Sequence, residues 1–277
     1  LGFMAHPELA KKKNILYVPT FRKDETEFKK QLNELVKQYL ISRGNAYAML
    51  LAEAGYSAKA AANEAIGGFT RDSWLKELVQ HLDQALPEYL KELEEKVSRI
   101  FVRNRLMVSV TATEETDLTA LIEAFPEGEA VPEQAAYVSA LPAKIGITIP
   151  AQIGYAAKAF HLSKTGSKAD GSLAVLSSIL SLDYLWNKVR VQGGAYGTGL
   201  RTGRDGRIAA YSYRDPSPAG SLKVYDDLSG AIARFVERKE AFDKYIISTI
   251  GQLAPLMTPR QKGKVADIRW FKGITDE

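Results

Sequence analysis

Three features of this sequence predict an α+β fold in two domains. The first hundred residues are patterned mainly for helices. Period-two strand patterns follow at Leu106 to Thr113 and again from Ala135 onward. The strands of the second half are grouped between long helices and do not alternate with them one for one, which places helices against an antiparallel sheet. At 277 residues the chain is long enough for two medium domains, each burying its own core.

The elements follow in chain order. The run Lys11, Lys12, Lys13 reads as a solvated turn. Phe28, Leu32, Leu35, Val36 and Leu40 recur at helical spacing and predict an amphipathic helix over Asp24 to Ile41, with a turn at Arg43 and Gly44. The alanine-rich stretch Asn45 to Ile66, broken at Gly55, predicts two helices, and Gly67-Gly68 ends the second. Asp72 is the expected N-cap of a helix to about Leu86, and Pro87 is expected to open another over Glu88 to Phe101. Leu106 to Thr113 alternates branched or apolar with small polar residues, the pattern of a half-buried strand, and Glu115 to Phe125 returns to a short helix. The Pro, Glu and Gly-rich stretch Pro126 to Glu133 marks the domain boundary, giving domains at 1–126 and 134–277. Beyond it, Ala135 to Leu141 and Ile145 to Ala159 predict strands, and Gly171 to Val189 a long, core-facing apolar helix. Glycine-rich turns then flank strands at Ala195 to Thr202 and Arg207 to Tyr213. Helices are expected at about Gly220 to Arg238, Lys239 to Leu253 and Pro259 to Trp270.

Composition narrows the function. With 37 basic against 33 acidic residues, a formal charge of +4 is too small and too evenly spread for a nucleic-acid footprint. No segment approaches the roughly 18 uninterrupted apolar residues of a membrane span. Without cysteine the chain has no disulfides and no thiolate ligands, which fits a reducing compartment and makes the cytoplasm the expected location. The opening residues lack the order of a signal peptide and the Arg/Ser-rich amphipathicity of a transit peptide, and the last ones still read as a structured element; the expectation is a fragment. His6, His81 and His161 stand far apart and none belongs to H-x-x-E-H or H-E-x-x-H, so no zinc site is expected within the chain. His81, beside Leu78 and Leu82, reads as a boundary histidine; His161, following a strand, is a minor candidate for a substrate cleft. Serine-hydrolase, phosphate-loop and dinucleotide motifs are absent from the sequence.

One segment carries chemistry. Leu185-Trp186-Asn187-Lys188-Val189-Arg190 ends the long helix, and Val191-Gln192-Gly193-Gly194-Ala195-Tyr196-Gly197 turns into a strand; Ser212-Tyr213-Arg214-Asp215-Pro216 comes later. A helix end followed by a Gly-Gly turn lets Arg190 and Tyr196 converge. An arginine offers a fork of donors to a carbonyl or carboxylate, a tyrosine hydroxyl can stabilise an oxyanion, and glycines admit another backbone closely. The alternative is structural: an arginine capping its own helix carbonyls and a tyrosine packed on the sheet.

This run, with Trp186-Asn187, Arg190-Val191, Gly193 to Gly197 and Ser212 to Pro216, resembles the presequence-protease branch of the pitrilysin/insulinase family of inverse zinc peptidases. A looser resemblance extends over the whole chain, including Gly67-Gly68-Phe69. Members are built from four homologous α+β domains in two bowl-shaped halves that enclose an unfolded peptide. The resemblance implies two incomplete or near-complete homologous domains, each an antiparallel-rich sheet packed against helices: residues 1–126 as the mainly helical part of a third domain, residues 134–277 as most of the fourth. It further implies that Arg190 and Tyr196 are catalytic, binding substrate carbonyls and the tetrahedral intermediate, and that Gly193, Gly194 and Ala195 shape the substrate-binding wall. Arg214 is expected in a buried ion pair with Asp215 or another carboxylate. In the family the first domain carries H-x-x-E-H, whose zinc-bound water attacks; this sequence has no such motif. Zinc then belongs to the full-length protein, the partners are an unfolded peptide and the zinc-bearing N-terminal half, and this chain alone is expected to be an inactive part of a metalloendopeptidase. The competing expectation is a non-catalytic structural or peptide-binding homologue.

Overall fold

The computed structural model of the protein describes residue 30 and residues 43–129, 138–149, 151–239 and 241–274. The predicted helix Asp24 to Ile41, the lysine run, His6, the end of the Pro126 to Glu133 loop and the start of the predicted strand at Ala135 lie outside the described residues. In chain order the helices are α1 (Gly44–Glu53), α2 (Ala58–Gly67), α3 (Phe69–Gln80), α4 (Leu82–Ile100) and the short α5 (Thr119–Glu123). Strand β1 (Ala157–His161) is followed by α6 (Ser172–Ile179), which continues as a π-helical stretch over Leu180–Gln192. Then come β2 (Gly197–Thr202), β3 (Arg207–Tyr213), α7 (Pro218–Asp226), α8 (Leu228–Glu237), α9 (Asp243–Leu253) and α10 (Pro259–Phe271). The class is α+β.

Two compact units emerge. The first comprises Leu1–Gln31, His81–Gln134 and Pro255–Glu277, the second Leu32–Gln80 and Ala135–Ala254. In the second unit the strands form one antiparallel sheet in the order β1-β3-β2. Ala159 stands opposite Ala209, and Leu200 opposite Ala210. Ala209 and Ala210 are both fully buried because the central strand is covered on both faces. On one face Ala209 and Ala159 pack with Met49 of α1, flanked by Tyr56 and Tyr211. On the other, Ala210 and Leu200 pack with Leu185 and Val189 of the long helix and Tyr225 of α7. The period-two alternation of β3 thus serves two cores at once. The Arg207 guanidinium forms an ion pair with Glu53, tying β3 to the end of α1.

Local punctuation explains most helix limits. Ser57 caps α2, its hydroxyl accepting from Ala60 N at 3.1 Å. Gly68 ends α2, and the chain re-enters a helix at once at Phe69. Asp72 therefore lies inside the first turn of α3 and is not its N-cap. The buried Glu64 carboxylate supplies the cap, accepting from Thr70 N at 2.9 Å and Thr70 Oγ1 at 2.6 Å. Asp72 is buried and accepts from the Tyr47 hydroxyl and the Arg71 guanidinium. The expected break at Pro87 falls instead at His81; Pro87 sits inside α4, where it removes one helical hydrogen bond without ending the helix.

Strands were over-predicted. Leu106 to Thr113 forms no ladder among the described residues, though Ser109 Oγ donates to Asp267 of α10 within the first unit. Of Ile145 to Ala159 only the last three residues enter β1, and Gly154 makes a single bridge to Asp215. In the first unit α10 starts with a capping box in which Thr258 Oγ1 accepts from Gln261 N and Gln261 Oε1 accepts from Thr258 N. Among the described residues no helix is long and apolar enough to cross a membrane.

Candidate functional site

The site grows out of the end of the long helix. Winding of the π type ends at Gln192, and Gly193 keeps right-handed dihedrals while Gly194 flips to φ +80°. That positive φ is open to glycine at little cost. Three turn amides then close the helix: Gly193 N and Gly194 N donate to Arg190 O, and Ala195 N donates to Val189 O at 3.1 Å. Tyr196 N donates to Arg214 O at 3.3 Å, joining the turn to the end of β3.

Arg190 and Tyr196 come together. The Arg190 guanidinium carbon lies 4.2 Å from the centroid of the Trp186 ring and 5.5 Å from that of Tyr196. Tyr196 is 65% exposed and meets Tyr213 edge-on with centroids 6.0 Å apart. Tyr213 in turn contacts Tyr155 at 5.7 Å, and Arg214 lies 5.5 Å over the Tyr213 ring. Burial, then the neighbouring Tyr213, push the Tyr155 phenol up, with the Arg214 charge opposing. No carboxylate among the described residues forms an ion pair with Arg190. The result is an exposed face of aromatic rings carrying two guanidinium groups.

The remaining expected residues divide. Gly193 and Gly194 form the turn beside this face, and Gly193 also borders a pocket of about 170 Å³ with Lys188, Gln192, Ser217, Gly220, Ser221 and Val224. Ala195 is buried, its methyl part of the core with Val189 and Leu200, so it presents backbone and not side chain to the turn. Arg214 departs from expectation. It is exposed, in left-handed conformation (φ 49°), and makes no ion pair with Asp215 among the described residues. The backbone flip turns Arg214 outward, while the buried Asp215 carboxylate bonds the start of α7, accepting from Ser217 N at 2.7 Å and Ser221 Oγ at 2.6 Å. His161, at the end of β1, bonds Ser163 of its own turn at 2.7 Å and stacks on Tyr56. Sequence reasoning gave no role to Trp186 or Tyr155. For Trp186 the signal was its place four residues before Arg190 on the same helix.

Among the described residues no three His, Asp or Glu side chains gather as metal ligands. What the site can do is bind a carbonyl or carboxylate oxygen through the guanidinium edges and the Tyr196 hydroxyl.

Comparison with known proteins agrees with the motif. Residues 144–277 match the family model of the PreP C-terminal domain. Presequence protease 1, chloroplastic/mitochondrial, of Arabidopsis thaliana is 30% identical over 223 residues, covering 78% of this chain and 21% of that protein. Protein HypA of Clostridium perfringens is 36% identical over 132 residues, 48% of this chain and 14% of HypA. The mitochondrial presequence protease of Schizosaccharomyces pombe is 26% identical over 253 residues, 86% of this chain and 24% of that protein. The chain thus spans a quarter or less of these relatives. Two of the three names place those proteins in mitochondria or chloroplasts, which gives the expected cytoplasmic location no support. The motif run, the matched domain and the protease relatives together show that the chain belongs to the pitrilysin family and is similar to the C-terminal part of presequence proteases.

Proposed function

We propose that the chain is the substrate-holding part of a zinc-dependent endopeptidase that degrades unfolded peptides. Arg190 and Tyr196 are its transition-state contacts. The observation that carries this reading is the Arg190 guanidinium, held against the Trp186 ring and near the Tyr196 ring with no carboxylate partner among the described residues. Its N–H edges are available to a peptide carbonyl, whose oxygen gains negative charge as the carbon becomes tetrahedral. The Tyr196 hydroxyl, exposed beside it, donates a second hydrogen bond to the same oxygen. Gly193, Gly194 and Ala195 contribute the shape of the wall; the amides of all three already close the helix. Zinc would be held by residues outside this chain, in the N-terminal half of the full-length protein, and the peptide would lie between the two halves. In this reading residues 1–126 and 134–277 belong to the third and fourth domains of the family architecture.

The test is Arg190→Ala and Tyr196→Phe in the full-length protein. Each is expected to lower turnover of an unfolded peptide about ten- to a thousandfold, the scale of losing an oxyanion donor, with zinc content unchanged. Normal turnover in both variants would sink the assignment.

A further inference from the structure

We propose that Trp186 is the positioning residue for Arg190, an inference that rests on reading Arg190 as a substrate contact. The two side chains leave the same helix four residues apart, and the guanidinium carbon lies 4.2 Å over the Trp186 ring. A guanidinium held on an aromatic face is gripped through its π-surface, so its five N–H donors stay in the plane and unengaged. A carboxylate partner would take two of those donors in a bidentate pair and cancel the charge. Among the described residues Arg190 has no such partner, and its contacts are the faces of Trp186 and Tyr196. Tryptophan is the strongest of the aromatic side chains in this role.

The placement of Trp186 argues against a packing role. It is 42% exposed, whereas Leu185 and Val189 on the same helix are fully buried. The core is therefore held by its neighbours, and a smaller side chain at 186 opens no cavity in it. Trp186 orients the arginine without drawing on the groups that meet the substrate.

The experiment compares four variants of the full-length protein in steady-state peptide hydrolysis: Trp186→Leu, Trp186→Phe, Arg190→Ala and the Trp186→Leu/Arg190→Ala double variant. Leucine keeps apolar bulk and removes the ring. It is expected to lower kcat about three- to thirtyfold, the reach of a cation–π contact of this kind, with a much smaller change in KM. Phenylalanine should restore most of the loss, and leucine should add nothing once Arg190 is alanine. Three results would overturn the role of Trp186: normal kcat in Trp186→Leu while Arg190→Ala is impaired, an undiminished leucine effect in the Arg190→Ala background, or no rescue by phenylalanine. Normal turnover in Arg190→Ala would instead refute the reading of Arg190 itself, and this inference with it.

Discussion

Gly193 and Gly194 are adjacent, yet they are glycine for different reasons, and alanine at each position separates them. Gly194 occupies the left-handed region at φ +80°, while Gly193 has right-handed dihedrals of φ −85° and ψ −15°. From dihedrals alone Gly194 is the sensitive position. Contacts reverse that order. A Cβ on Gly193 would fall 2.6 Å from Val189 O and 3.1 Å from Lys188 O, both backbone atoms of the helix that carries Arg190, so the helix end must shift. Overpacking of this kind costs about 1–3 kcal/mol. A Cβ on Gly194 meets only Pro216 Cγ, at 3.3 Å. Its cost is the left-handed backbone, about 1–2 kcal/mol, partly offset by roughly 0.4–1 kcal/mol from a stiffer unfolded chain. Gly193→Ala is therefore expected to be the more destabilising of the two, read by urea unfolding of the chain followed by tryptophan fluorescence. It should also lose more peptidase turnover in the full-length protein, because the displaced helix end moves Arg190 away from Tyr196. A wild-type urea midpoint for Gly193→Ala, or a larger loss for Gly194→Ala, would refute this ranking.

Four further expectations concern the scaffold. Among the described residues the buried Tyr225 hydroxyl has the Ser212, Thr198 and Ser221 hydroxyls near it but makes no hydrogen bond of normal geometry, so Tyr225→Phe should raise stability, by about 1 kcal/mol; a lower urea midpoint would contradict this. Burial, first among several causes, pushes the phenols of Tyr47, Tyr184 and Tyr225 up to about 12. The unfolded chain then loses these protons near pH 10 while the folded chain keeps them, so the stability they contribute is complete below pH 10 and falls from there to about pH 12. A urea midpoint unchanged between pH 9 and pH 11.5 would count against it. Glu53→Ala removes Arg207's partner on α1 but leaves its ion pair with Asp205, and burial of the Glu53 carboxylate opposes the lost pair, so the change should cost about 1 kcal/mol, measured in the same unfolding assay. Finally, Ile246, Ile247 and Ile250 are exposed on α9, and the chain on its own should associate as concentration rises. Light scattering should show this, and Ile247→Lys with Ile250→Lys should reduce it.

Legibility followed the strength of local signals. The strand Arg207 to Tyr213 appears with the expected limits, because its alternation serves two faces of a covered strand. The paired glycines at Gly67 and Gly68 marked the end of α2 correctly. They did not reveal that Glu64 reaches forward to cap the next helix, which moved the start of α3 from Asp72 to Phe69. That cap is a contact between side chain and backbone six residues apart, invisible to a pattern of apolar spacing. Leu106 to Thr113 failed for another reason. Alternation describes which side chains face inward, whereas a strand also needs a neighbouring backbone to pair with, and none pairs with it among the described residues.

That Arg190 and Tyr196 come together was legible in the sequence, but what else holds the arginine there was not. An arginine in the last turn of a helix can stabilise the helix by bonding its terminal carbonyls, and the sequence left that use open for Arg190. The Gly-Gly-Ala turn changes the balance. By donating three backbone amides to the carbonyls of Val189 and Arg190, it occupies those two carbonyls without any side chain. The Arg190 side chain is then not required for closure and stands against Trp186 and Tyr196. Two glycines before Ala195 are the sequence condition for this. One leaves room for the helix carbonyls, the other supplies the left-handed step, and Tyr196 follows in register beside the arginine.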